Sequence, residues 1–148
     1  MGQLLSGQAI LAPTNNLVDE INLIVLGKMG GAERCYMSKD SISRDGALHQ
    51  QYALEQLQAY NPPGYPPSAL RLKPGSIVML LRNVSISTGL TNGTRLIVEE
   101  LHDNIIKCKR IKPVLGFDDI VYIPRISFTL KSKDTGLECD IKRVQFPL

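Results

Sequence analysis

Leu72–Asn83, LKPGSIVMLLRN, and Asn92–Val98, NGTRLIV, decide how this 148-residue chain is read. Pro74-Gly75 is a turn that launches an apolar run, Ile77–Leu81, ending in the polar pair Arg82-Asn83. The loop from Val84 to Leu90 is long for a hairpin. Asn92-Gly93 then opens the next strand, and an Asn-Gly pair favours a type I′ turn or a similar positive-φ geometry. The unbroken apolar run predicts a strand buried on both faces, whereas Arg95–Glu99 alternates like a half-buried one. Asn104–Arg110, Ile120–Ile123, Ile126–Leu130 and Ile141–Phe146 continue the series, with turn signals between them. Closely spaced short strands of this kind predict a small barrel or sandwich. Pro124 has no amide proton to give to a ladder, so its strand is expected at an edge or a bulge.

Towards the N-terminus the pattern changes. Ala9–Ala12 is a short apolar run, read as a buried strand, and Pro13-Thr14-Asn15-Asn16 breaks it. Thr14 or Asn15 can cap a helix whose apolar positions are Leu17, Val18, Ile21, Ile24 and Val25, at helical spacing. Asp19 and Glu20 are expected in its first turn, and Gly27 or Gly30-Gly31 at its end. Cys35–Ser38 predicts a second short strand, Lys39-Asp40-Ser41 a turn, and His49–Tyr60 a helix. Asn61–Pro67, NPPGYPP, is hostile to helix and marks the main organisational boundary.

Composition narrows the function classes. The length and the 43% hydrophobic content fit an ordinary globular domain that needs no disulfide. Cys35, Cys108 and Cys139 lie far apart without metal-ligand spacing, and an odd count argues against a disulfide framework. No run approaches the roughly 18 apolar residues of a membrane span, and the first residues lack the features of a secretory signal. A nuclear or cytoplasmic location with no membrane partner is therefore expected. The net charge of +3 is unevenly spread, with −2 over residues 1–70 and +5 over residues 71–148. The basic half is also the strand-rich half, which suits either a phosphate backbone or an ordinary solvated surface.

Three constellations are candidate sites. Pro13, Thr14 and Asn15 follow a strand and open a helix, where hydroxyl, amide and free N–H groups bind phosphate oxygens; plain helix capping explains the same residues. Arg82 and Asn83 before the loop, with Asn92, Gly93 and Arg95 after it, can hold a phosphate or a base edge, or can simply end two strands in solvent. Lys107 and Lys109 share one face of a strand at period 2, either as contacts or as a solvated outer face. The sequence has no GxxxxGK[ST] loop, no apolar run ending in paired acids, no HExxH and no GxSxG. His49 and His102 are isolated.

The motifs also carry a family resemblance. AILAPTNNLVDEIN (Ala9–Asn22), YMSKDSI (Tyr36–Ile42), NPPGYPP, LKPGSIVMLLRN, GLTNGTRLIVEEL (Gly89–Leu101), YIPRISF (Tyr122–Phe128) and the final FPL resemble the PIF-type ATP-dependent DNA helicases, especially the branch carried by Helitron transposons. The likeness runs from about Leu5 to Leu148 in the family's order. It implies an α+β chain: a partial RecA-like α/β segment followed by a small SH3-like β barrel. Residues 1–70 would open the second RecA-like domain, residues 71–143 would be the 2B barrel, and residues 144–148 would return to the truncated domain. It also places Pro13, Thr14 and Asn15 on the DNA side of the motor.

The resemblance implies 5′-to-3′ unwinding of DNA, in repair, recombination, telomere maintenance or Helitron transposition. ATP and Mg2+ belong to parts of the family outside this chain, which on this reading holds no cofactor and hydrolyses no ATP alone. Expected partners are single-stranded DNA, weakly held through Arg82, Asn83, Asn92, Arg95 and the Lys107–Lys112 strand, and the missing helicase motor domain. The other reading is a β-barrel protein-interaction module that binds no nucleic acid.

Overall fold

In the computed structural model, residues 7–42, 54–137 and 139–148 are described. The elements are α1 (Asn15–Lys28), β1 (Arg34–Met37), β2 (Lys39–Ile42), α2 (Leu54–Gln58), β3 (Ala69–Leu72), β4 (Ile77–Met79), β5 (Arg95–Leu101), β6 (Ile105–Arg110), β7 (Ile120–Pro124), β8 (Ile126–Leu130), α3 (Ser132–Thr135) and β9 (Ile141–Gln145). Their strands form three antiparallel sheets, ordered β1-β3, β2-β9-β8 and β4-β5-β6-β7. Among the described residues no sheet closes on itself, so the expected barrel is corrected to open sheets. The chain passes from β7 to β8 through Arg125 alone, and β8 then pairs with β9 instead of returning to β4.

Alternation along each strand explains the core. Leu96, Val98, Ile106, Cys108, Val121 and Ile123 point inward from β5, β6 and β7, against Tyr36, Leu70, Leu72, Leu80, Phe146 and Leu148. A fully buried aliphatic side chain of this size contributes about 1.5–3 kcal/mol. This cluster draws residues from both sides of NPPGYPP. A second cluster joins Leu57 of α2 to Leu130 and Ile141 of β8 and β9.

Several local expectations hold. Thr14 caps α1: its Oγ1 accepts from Leu17 N at 3.3 Å. Cys35–Ser38 overlaps β1, the later strands form, and Pro124 ends β7 on an edge of its sheet. The start of the helix expected over His49–Tyr60, residues 49–53, lies outside the described residues, and α2 falls within the rest.

Others are corrected. Ala9–Ala12 joins no strand, and Ile10 and Leu11 are 72% and 93% exposed, because no described strand lies beside them. The helix face from Leu17 to Val25 stays partly exposed for the same want of a neighbour, and only Leu26 of α1 is buried. Asp19 and Glu20 fall past the first turn, since the helix starts at Asn15, and it runs through Gly27 to a cap at Met29. Lys73 holds that end, donating from Nζ to Leu26 O and Met29 O at 2.9 Å each. Ile77–Leu81 is not buried on both faces: Ile77 and Met79 are exposed on the edge strand β4 while Leu80 is buried.

Lys39-Asp40-Ser41 is strand rather than turn, because Asp40 faces Arg143 across the β2–β9 pair. Arg143 Nε and Nη2 donate to the two Asp40 carboxylate oxygens at 2.9 and 2.8 Å. Both side chains are fully buried. Nη1 also reaches Asn61 Oδ1 and Pro66 O, and Nη2 reaches Leu57 O and Tyr60 O. Every guanidinium nitrogen is thus engaged. Two residues on, the buried Gln145 donates from Nε2 to Tyr36 O, Pro67 O and Ser68 O.

Breaking this pair should cost far more than losing a surface contact. Arg143→Ala is expected to lower unfolding stability by about 3–5 kcal/mol, read from the urea midpoint. The apolar double replacement Asp40→Leu/Arg143→Met should recover only part of it, since the carbonyls of Leu57, Tyr60 and Pro66 lose their donor. The thiols offer a second check. Burial pushes the Cys108 thiol up to about 12, while Cys35 is exposed. A maleimide should label Cys35 in the folded chain and Cys108 only after unfolding. Because the Cys108 value is raised, its contribution to stability is intact below the ordinary thiol range and is lost as pH rises from about 9 to about 12.

Candidate nucleic-acid interface

The β4-β5-β6-β7 sheet turns one face inward and shows the other to solvent. Register places Ile77 opposite Ile97, Met79 opposite Arg95, Ile97 opposite Lys109 and Lys107 opposite Tyr122. Arg95, Lys107 and Lys109 therefore share the outer face with Ile77, Met79 and Tyr122. Arg95 and Lys109 are diagonal neighbours, since Ile111 N, two residues beyond Lys109, donates to Arg95 O.

The two ends of the β4–β5 connection also meet. Asn92 N donates to Asn83 Oδ1 at 2.8 Å, and Gly93 N to Leu80 O at 2.8 Å. Thr94 N closes the turn on Thr91 O. Gly93 has φ 92° while Asn92 does not enter the positive region, so the turn follows the type II pattern rather than type I′.

Other sequence-selected side chains are held by the protein itself. Arg82 lies over the Tyr65 ring at 4.5 Å and donates from Nη1 to Gly64 O and Leu81 O at 3.0 and 2.7 Å. Its guanidinium fastens NPPGYPP to the end of β4, and Tyr65 in turn stacks on Phe128. Lys107 Nζ lies 2.8 Å from Glu100 and 3.8 Å from Glu99. The hydrogen bond with Lys107 holds the Glu100 carboxyl below its usual range, helped by His102, and raises Lys107 in return. Lys109 is exposed and has no ion pair among the described residues. Arg95 Nη2 donates to Gln8 O at 3.3 Å, bringing the N-terminal segment beside this face. Pro13, Thr14 and Asn15 are exposed at the head of α1.

Arg110, which sequence reading grouped with the basic strand, is buried and points the other way. It donates to Asp118 O, Gly89 O and Thr88 O, and lies 5.7 Å from the Phe117 ring. It joins the loop after β4 to the loop before β7. Its position on the inner side of β6, in phase with Ile106 and Cys108, was the signal that could have found it. Among the described residues no three His, Cys, Asp or Glu side chains gather to hold a metal ion. No described helix is long and apolar enough to cross a membrane.

The molecule is thus a mixed α/β chain of open antiparallel sheets, one of which carries Arg95, Lys107 and Lys109 on its outer face, and comparison with known proteins gives it a family context. Residues 55–101 match the family model for the 2B domain of the DNA helicase Pif1. No curated protein matches the chain. Among solved structures, its fold is similar to a double mutant of Pif1 helicase from Bacteroides, with 21% identity and a TM-score of 0.61 over 96% of this chain and 29% of that one. It is similar to Pif1 helicase from Candida albicans, with 22% identity and a TM-score of 0.61 over 97% and 34%. Bacteroides Pif1 bound to ssDNA gives 21% identity and a TM-score of 0.57 over 99% and 33%. The chain thus spans about a third of the length of these helicases. The resemblance to PIF-type helicases carried by the motifs is borne out: the chain resembles the part of a Pif1-type DNA helicase that contains the 2B region.

Arg82 should behave as a fastener. Arg82→Ala is expected to lower stability by about 1–3 kcal/mol through the lost ring contact and carbonyl bonds, with Arg82→Lys recovering part; thermal melts of the three proteins check it.

Proposed function

We propose that this chain works as a segment of an ATP-dependent 5′-to-3′ DNA helicase, supplying contacts to single-stranded DNA rather than ATP hydrolysis. The observation that carries this reading is the match of residues 55–101 to the Pif1 2B domain, across β3, β4 and the start-to-end length of β5. On this reading residues 1–70 open the second RecA-like domain, residues 71–143 are the 2B module inserted into it, and residues 144–148 lead back. Phosphate contacts come from Arg95 and Lys109 on the sheet face, with the side chains of Asn83 and Asn92 at its end and of Thr14 and Asn15 at the head of α1, while Gly93 and Pro13 shape the two turns. Lys107, tied to Glu100, contributes less, and Arg82 acts by holding the loop in place.

ATP and Mg2+ would be held by the motor elements that the sequence lacks, where the nucleotide supplies the free energy for stepping along the strand. Work in repair, recombination, telomere maintenance or Helitron transposition, and a nuclear location, follow from the same reading. One observation favours a protein partner as well: Leu17, Val18, Leu23, Ile24 and Val25 leave α1 partly exposed, a face suited to packing against the missing motor domain.

Fluorescence anisotropy with a labelled oligonucleotide tests the reading. Binding should be weak, should fall with added salt, and should weaken in Lys109→Glu with a salt slope shallower by about 0.7. A flat titration of the folded chain at low salt removes the proposal and leaves the protein-interaction reading. The purified chain is expected to turn over no ATP.

A further inference from the structure

The β2-β9-β8 sheet sorts its charges between its faces. Asp40 and Arg143 point inward and neutralise each other, as described above. Lys39 and Ser41 of β2, Lys142 of β9, and Ser127 and Thr129 of β8 alternate to the other side and are exposed. Register sets Ser41 opposite Lys142 and Lys142 opposite Thr129, and Lys39 opposite Val144, which faces Ser127. Lys39 and Lys142 are therefore diagonal neighbours across the ladder, about 7 Å apart at the backbone. Among the described residues neither lysine has a carboxylate partner. The nearest acid along β9, Asp140, is held by Lys131 Nζ and by Ser132 N. Its carboxyl lies below the usual range, chiefly through the Ser132 backbone bond.

We infer that this outer face, carrying Lys39, Lys142, Ser41, Ser127 and Thr129, is a second contact surface for the sugar-phosphate backbone of single-stranded DNA. Two unpaired ammonium groups a phosphate spacing apart, among hydroxyls that donate to phosphate oxygens, fit that chemistry. Among the described strand residues of this face Val144 is the only apolar one and is half-buried, so a hydrophobic protein interface has little to grip there. The contrast with Lys107 is instructive, since Glu99 and Glu100 already occupy that cation. The inference rests on the DNA-binding reading above and adds a surface to it.

The test is anisotropy of a labelled oligo-dT on the 148-residue chain, comparing wild type with Lys39→Glu/Lys142→Glu, Lys39→Gln/Lys142→Gln and Lys109→Glu, each checked for fold by circular dichroism. Removing two phosphate contacts should weaken binding about ten-fold or more near about 50 mM salt and flatten the salt slope by about 1.4. Lys39→Arg/Lys142→Arg should bind like wild type. The glutamine pair, with no reversed charge to disturb the sheet, serves if the glutamate pair unfolds. Wild-type binding that falls in Lys109→Glu but is unchanged in both Lys39/Lys142 pairs overturns this inference and leaves the proposed function standing. No binding by folded wild type overturns both.

Discussion

The bidentate bond between Arg143 and Asp40 is the constraint on which the rest depends. Removing a carboxylate and a guanidinium from water costs several kcal/mol per ion, and only close pairing with further hydrogen bonds offsets it. Here the acceptors come from β2, from the Leu57 carbonyl in α2 and the Tyr60 carbonyl just after it, from Asn61 and from Pro66. Once that network is satisfied, α2, the proline-rich loop, β2 and β9 have little freedom relative to one another. Gln145 repeats the device one step along the strand and reaches β1. The buried hydrophobic residues form two separate clusters rather than one oily centre.

Much of the backbone was legible. Thr14 before a helical apolar spacing marked the start of α1, and alternation marked β5 and β6, because both signals are local. What was hidden involved partners far away in sequence. Asp40 sits in Lys-Asp-Ser, a triplet that looks like a turn, and its strand character comes from a residue 103 positions later. Arg82 looked like a hand offered to a ligand, but its partners Gly64 and Tyr65 lie within a loop whose shape the sequence does not spell out. The continuous run Ile77–Leu81 suggested two buried faces; the sheet order shows an edge instead, and composition cannot tell an edge strand from a central one.

The candidate site was legible in kind more than in arrangement. Lys107 and Lys109 share one face as period 2 implies, and the β5–β6 register brings Arg95 beside Lys109. Lys107 shares that face but is drawn onto Glu100 by the bulge in β5 between Val98 and Glu100. Arg110, one residue past Lys109, turns inward and becomes the tie between two loops. The basic strand thus divides, by side-chain direction and by partner, into three different jobs.

The burial of Phe146, Pro147 and Leu148 bears on how the chain reaches this state. Leu81 N bonds to Pro147 O, and β2 has no ladder partner until β9 is available. Neither cluster can close while Ile141–Leu148 is unmade, so an elongating polypeptide must carry a bare Asp40 carboxylate and an uncovered Tyr36 ring for the roughly 100 residues that separate them from β9. Contacts of such long range slow folding and lengthen exposure to mispairing. A nascent chain of this kind is a natural client for chaperones until Ile141–Leu148 emerges.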